Sequence, residues 1–428
     1  MDFTINPISG LKGSINVPGD KSISHRSLIF GALAKGITHV TNFLPSQDCV
    51  STLQCLQQLG VAIDQISPSE IRVTGVGLHG FKEPTNVLDV GNSGTTIRIM
   101  PGILAGQNFF SVMTGDASIR RRPMKRIVEP LYKMGGTILG RDDGQYPPIA
   151  IRGNPLTSIE YKMPVASAQV KTALLLAGLL AEGTTVIEEP FKSRDHSERM
   201  LLSLGANLEV EKEKYTINGN NELNAVDIQV PGDVSSAAFF VVGALITKKS
   251  RLVLPRVGVN PTRSKILEIL KEMGAKIHQV HSSAAAVEPA ADIEIESSEL
   301  SSFRITEDIV PLVIDELPIL AVAATQSEGR TVIEGARELR IKESDRIAVI
   351  CSELTKLGAD IKEKPDGFVV NGPTKLRANK VDSYGDHRLA MALSIAALVA
   401  EGTTTVANAD CVRVSFPDFL DVLRKAAA

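Results

Sequence analysis

The chain has 428 residues, 43% of them hydrophobic and none of them tryptophan, long enough for two or three domains of about 100–150 residues each. Lys and Arg number 46 against 49 Asp and Glu, a formal net charge of −3. That balance excludes a nucleic-acid partner held by bulk positive charge and leaves any anion site to local clusters of basic side chains. The four cysteines, Cys49, Cys55, Cys351 and Cys411, form no C-x-x-C pair and stand at no zinc-ligand spacing with histidine. No metal is therefore expected, and a reducing cytoplasm suits them.

Residues 1–10 have neither the basic start nor the apolar stretch of a signal peptide. Val17-Pro-Gly-Asp20 then breaks the chain and leads into a serine-rich helix start, and the same tetrapeptide returns as Val230-Pro-Gly-Asp233. From residue 31 onwards one pattern recurs: a helix of small apolar residues, a glycine-centred turn and a β-branched strand. It is clear at 31–40, 178–187, 323–333 and 397–406 and weaker at 102–113 and 243–254. In most copies a second helix follows, as at 346–357, with apolar and charged positions alternating at helical spacing. These helices stop at Gly60, Gly135, Gly205, Gly274 and Gly358, each placed as a C′ glycine. The stops lie about 70–85 residues apart, which reads as a repeated α/β unit.

Six copies of the first helix predict six units, three per domain. That helix is apolar nearly all round, as at 389–400, so it is buried rather than half-exposed. The same run is the longest apolar stretch and falls short of the roughly 18 residues a membrane span needs, so no membrane partner is expected. The paired Pro-Gly breaks predict a double crossover. Residues 21–230 then form one continuous domain, inserted into another made of 1–20 and 231–428.

The starts of the first helices carry the candidate chemistry. They read Gly19-Asp-Lys-Ser-Ile-Ser-His-Arg26, Gly91-Asn-Ser-Gly-Thr-Thr-Ile-Arg98, Pro164-Val-Ala-Ser-Ala-Gln169, Gly232-Asp-Val-Ser-Ser236, Asp315-Glu-Leu317 and Tyr384-Gly-Asp-His-Arg388. A helix start offers unpaired N–H groups and partial positive charge, and several aimed at one place would suit polyanionic substrates. Lys21, Arg26, Arg122, Arg194, Lys342, Arg346 and Arg388 stand beside Ser, Asp or Gly at predicted element ends, as a set more than solvated helix ends would give. Asp20 separates Gly19 from Lys21, so the first start is not a P-loop.

Asp20-Lys-Ser-Ile-Ser-His-Arg26, Gly91-Asn-Ser-Gly-Thr95, Arg122-Pro-Met124, Lys342-Glu-Ser-Asp-Arg346, Gly385-Asp-His-Arg-Leu-Ala-Met391 and Ser415-Phe-Pro417 together resemble the shikimate-pathway branch of the enolpyruvyl transferase family, over nearly the whole chain. The resemblance implies an α/β fold of two similar domains, each of three βαβαββ units around buried central helices, with the active site in the interdomain cleft. It implies transfer of the enolpyruvyl group of phosphoenolpyruvate to the 5-hydroxyl of shikimate 3-phosphate, through a tetrahedral intermediate, by a cytoplasmic monomer that needs no cofactor.

By the same resemblance Lys21 bridges both substrates. Ser22, Arg26, Ser167, Ala168, Gln169 and Arg194 hold shikimate 3-phosphate. Asn92, Gly94 and Gln169 lie against phosphoenolpyruvate, and Arg122, Arg346 and Arg388 clamp its carboxylate and phosphate, where a planar guanidinium binds in bidentate fashion. Asp315 and Lys342 contact the shikimate hydroxyls, and Asp315, Glu343 and Lys21 form the catalytic set. For Asp315 an ordinary role as helix N-cap is the competing explanation.

Ser167-Ala-Gln169 and Val414 depart from the family's first class and resemble its second. That class is linked with weak binding of the inhibitor glyphosate, often through alanine at the position of Gly94, but glycine is kept here. The sister branch acts on a nucleotide sugar and uses a loop cysteine; the matching stretch, residues 114–120, has none. A non-catalytic anion-binding protein would account for the helix starts but not for Asp315, Lys342 and Glu343 together.

Overall fold

A computed structural model describes residues 1–282 and 287–427. Its contacts divide the chain into two compact units, one of Met1–Pro18, Pro231–Ala284 and Pro289–Ala428, the other of Gly19–Val230 and Ala285–Glu288. The divisions fall inside the two Val-Pro-Gly-Asp segments. Close packing explains the glycines there, against backbone at Gly19 and against a side chain at Gly232. A Cβ on Gly19 would lie 2.0 Å from the Asn42 carbonyl oxygen, and one on Gly232 would lie 2.7 Å from Val17.

Each unit has its own apolar core, built around central helices. In the Gly19–Val230 unit these are Lys21–Leu33, Ala168–Leu180 and a broken pair, Gly94–Ile99 and Pro101–Leu104. Pro101 at the start of the second piece has no N–H to continue the ladder, which is why this copy of the repeat is weak in the sequence. In the other unit they are Val234–Ile246, Leu317–Thr325 and His387–Ala397. Every residue from Val234 to Leu245 is buried, as a helix apolar on all sides requires.

The glycines punctuate these units as the sequence indicates. Gly60, Gly135, Gly205, Gly274 and Gly358 have φ between +86° and +98°, the left-handed conformation of a C′ residue. Gly36, Gly183, Gly329 and Gly402 are also left-handed where the chain leaves four of the central helices. In the weak copy at 243–254 that place falls to Lys249, at φ 59°.

Five sheets share one order. A short strand runs parallel to a first long strand, which pairs antiparallel with a third, which pairs antiparallel with a second. In the first of them Leu223–Asn224 lies beside Ala34–Thr41, then Glu70–Val76, then Ala62–Ser67. The expectation of six equal units needs correction at the sixth. Its sheet has three strands, and the antiparallel partner of Thr404–Ala407 is Phe3–Ile5 from the start of the chain. After Thr404–Ala407 the chain turns to helix instead of a hairpin. Phe416 and Phe419 there pack on Phe240 at ring distances of 5.7 and 5.6 Å. Among the described residues no helix is long and apolar enough to cross a membrane.

Candidate functional site

In the Gly19–Val230 unit side chains join the three helix starts. Asp20 caps the first helix, accepting from the Ile23 N–H at 2.9 Å. Lys21, its first residue, pairs with the buried carboxylate of Asp48. One turn on, the His25 ring lies 2.7 Å from the Thr52 hydroxyl, which lies 2.6 Å from Thr96, itself 2.6 Å from Ser93. Ser93 caps the Gly94–Ile99 helix. Enclosure pushes His25 down to about 3, so it is a neutral link in this chain of hydroxyls rather than a cation.

Ser167 caps the third helix, so Ala168 and Gln169 form its first turn. Gln169 accepts from Arg98 at 2.9 Å and donates to Thr95 at 3.3 Å. Beside Gly94, Arg122 donates to Asn92 at 3.1 Å, and Asn92 donates to Asp116 at 2.5 Å. A Cβ on Gly94 would stand 2.6 Å from the Arg122 Nη1, so the absence of a side chain lets the guanidinium lie over the helix start.

Arg26 lies beneath this surface, 3% exposed. It donates to the Ser197 hydroxyl at 2.7 Å, to Thr172 at 3.0 Å and to the Ser22 carbonyl at 3.1 Å. Burial brings its pKa down to about 10 despite the nearby Glu198, and the charge of Arg194 adds to that fall. Arg26 thus fixes the backbone at Ser22 and supplies positive charge close to Arg194.

The other unit gathers Asp315, Glu343, Arg346 and Arg388. Arg346 is wholly enclosed by carboxylates, 2.8 Å from Asp386, 2.6 Å from Glu343 and 3.5 Å from Asp315. Burial works against its charge, but Asp386, Glu343 and Asp315 outweigh burial and hold it protonated above the ordinary arginine range. Asp386 also caps the His387–Ala397 helix and accepts from Ser344 at 3.1 Å. Arg388 lies 3.6 Å from the Asp315 carboxylate and donates to its carbonyl at 3.2 Å.

Asp315 is not an N-cap. The helix starts at Leu317, and the residue before it, Glu316, makes no side-chain cap bond. Asp315 instead presents its carboxylate to two guanidiniums. Lys342 and Glu343 follow a short 3-10 turn, Arg337–Ile341, just ahead of the Arg346–Lys356 helix.

Sequence reasoning misses Asp48, Thr172 and Ser197, and gives no role to Arg98 and Asp386 in the helix starts it singles out; these are polar groups that orient the expected ones. It also misses Lys171, a full charge buried in an otherwise uncharged helix. A lone lysine in such a run is the readable signal, since lysine is almost never fully buried without a partner. The cysteines stay out of this chemistry. All four are free, and burial pushes Cys49 and Cys55 up to about 12.

A family model described as EPSP synthase (3-phosphoshikimate 1-carboxyvinyltransferase) matches residues 5–423. The chain is 53% identical to a 3-phosphoshikimate 1-carboxyvinyltransferase of Bacillus cereus (strain ZK / E33L), covering 99% of both chains. It is likewise 53% identical to one of Bacillus thuringiensis (strain Al Hakam), over 98% of both. Among solved structures it resembles EPSP synthase from Acinetobacter baumannii with a TM-score of 0.91 and 46% identity, over 99% of this chain and 98% of that one.

Proposed function

This chain belongs to the EPSP synthase (3-phosphoshikimate 1-carboxyvinyltransferase) family, and from that premise we propose how its residues divide the work. The activity is transfer of the enolpyruvyl group of phosphoenolpyruvate to the 5-hydroxyl of shikimate 3-phosphate, with release of phosphate. The hydroxyl loses a proton and its oxygen bonds to C2 of phosphoenolpyruvate while C3 gains a proton. The tetrahedral adduct then expels phosphate as C3 gives a proton back. One C–O bond is made and another broken, with no net redox change.

In our reading Lys21, Ser22, Ser167, Ala168, Gln169 and Arg194 receive shikimate 3-phosphate, with Arg26 supporting Ser22 from below. Asp315 and Lys342 take its ring hydroxyls. Asn92, Gly94, Gln169, Arg122, Arg346 and Arg388 receive phosphoenolpyruvate. Asp315 removes the hydroxyl proton, Glu343 serves C3, and Lys21 offsets charge on both substrates. The observation that carries the reading is the pair of carboxylates, Asp315 and Glu343, on guanidiniums suited to an anionic substrate.

Ser167-Ala-Gln169 supports placement in the family's second class. A complete set of these groups in one chain supports action as a monomer, and four free cysteines support a reducing, cytoplasmic setting. The test is phosphate release with both substrates present and with each omitted in turn. Release only with both supports the reading, and release from phosphoenolpyruvate alone overturns it.

A further inference from the structure

The Ala168–Leu180 helix buries a whole positive charge. The Lys171 ammonium lies 2.8 Å from Glu189 and 2.7 Å from Glu198, 3.1 Å from the Tyr215 hydroxyl and 4.3 Å from the centre of its ring. Tyr215 also donates to Glu189, and all four side chains are buried. Apolar residues of similar volume would fill this space without the desolvation that two carboxylates and an ammonium demand. The reason for the cluster therefore lies in what it holds.

It holds the chain on both sides of Arg194. Residues 190–195 have no helix or strand to fix them. Ahead of Arg194, Glu189 accepts from the Ser193 N–H at 2.9 Å and from its hydroxyl at 2.6 Å. Behind it, Glu198 stands in the first turn of the His196–Ser203 helix. Its contact with Lys171 is an ion pair off the hydrogen-bond direction, and neither carboxylate oxygen has another donor among the described residues. One ammonium thus joins the two carboxylates that bracket Arg194. The next residue, Thr172, lies 2.5 Å from the Ser197 hydroxyl and accepts from Arg26, so the same turn of helix also sets Ser197.

We propose, on the footing of the shikimate 3-phosphate reading above, that Lys171 is a positioning residue. Through Glu189 and Glu198 it sets where Arg194 presents itself to the phosphate of that substrate. Lys171 touches no substrate itself. The arrangement separates two tasks: the buried ion cluster supplies register, and Arg194 supplies the contact.

Two variants cut the two arms. Glu198→Gln keeps the side-chain size and removes one charge, and Ser193→Ala removes only the hydroxyl held by Glu189. Each is combined with Arg194→Gln in a double-mutant cycle that reads the two KM values and kcat separately. KM for shikimate 3-phosphate rises about tenfold in Glu198→Gln and about threefold in Ser193→Ala, while KM for phosphoenolpyruvate and kcat hold. Arg194→Gln costs less in either background than in the wild type. Additive costs, or equal rises in both KM values, overturn the inference. If Glu198→Gln does not fold, the Ser193→Ala cycle alone decides between these outcomes. A wild-type chain that releases no phosphate from the two substrates overturns the functional reading itself, and the inference with it.

Discussion

Asp315 lies 3.5 Å from Arg346 and 3.6 Å from Arg388 and caps no helix. Asn would cap a helix as well as Asp but cannot take a proton. Asp315→Asn should therefore lower kcat about 10²–10⁴-fold, the usual scale for a lost general base, while the affinity for shikimate 3-phosphate changes much less. Steady-state kinetics with direct ligand titration checks this, and near-wild-type turnover would remove Asp315 from the proton path. Gly94 supports a second prediction. A methyl there meets the end of the Arg122 side chain at 2.6 Å, and a flexible arginine can yield. Gly94→Ala should displace that guanidinium and weaken the longer ligand glyphosate by about 1–3 kcal/mol more than phosphoenolpyruvate. Equal losses in KM and Ki would sink the idea. The charged residues of both clusters stand out in the sequence because they sit beside Ser, Asp and Gly at helix starts. Supports such as Asp48 and Ser197 do not: they come from distant segments, and which of them meet depends on tertiary packing.

At the scale of elements, His25 links the Lys21–Leu33 helix through Thr52 to the start of the Gly94–Ile99 helix. Enclosure holds it neutral, its pKa lowered from 6.5 to about 3 by burial first, with Asp48 opposing and Lys21 and Arg26 adding to the fall. The unfolded chain takes up this proton below pH 6.5 and the folded chain does not. The contribution to stability is thus complete above pH 6.5 and is lost as the pH falls from there toward 3. Between pH 7 and 5 the loss from this group should be about 2 kcal/mol. Urea unfolding of the wild type and of His25→Gln at both pH values tests this: the wild type should lose more, and parallel losses would exclude His25 as the cause. The helices themselves are legible because their all-round apolar faces and glycine stops are local features. The short parallel strands, such as Leu88–Asp89 and Leu300–Ser301, are not, since two residues carry no period.

For the whole molecule, two separate cores predict two unfolding transitions in calorimetry of the substrate-free chain. Phe240 is buried in one core and Phe30 in the other. Phe240→Ala should cost about 3–5 kcal/mol and lower one transition, and Phe30→Ala should lower the other. A single transition moved by both would contradict independent cores. The repeat and its paired Pro-Gly breaks are readable in the sequence, but the borrowed strand of the sixth sheet is not, because its partner lies at the far end of the chain. That strand has a consequence during synthesis. At about 5–20 residues per second, the ribosome needs roughly 20–80 s to pass from Phe3–Ile5 to Thr404–Ala407, its partner. The 19–230 unit is complete long before then, so the nascent chain carries one finished unit while its first strand waits with an unpaired edge. A strand made well ahead of its partner is thus among the last to find its place.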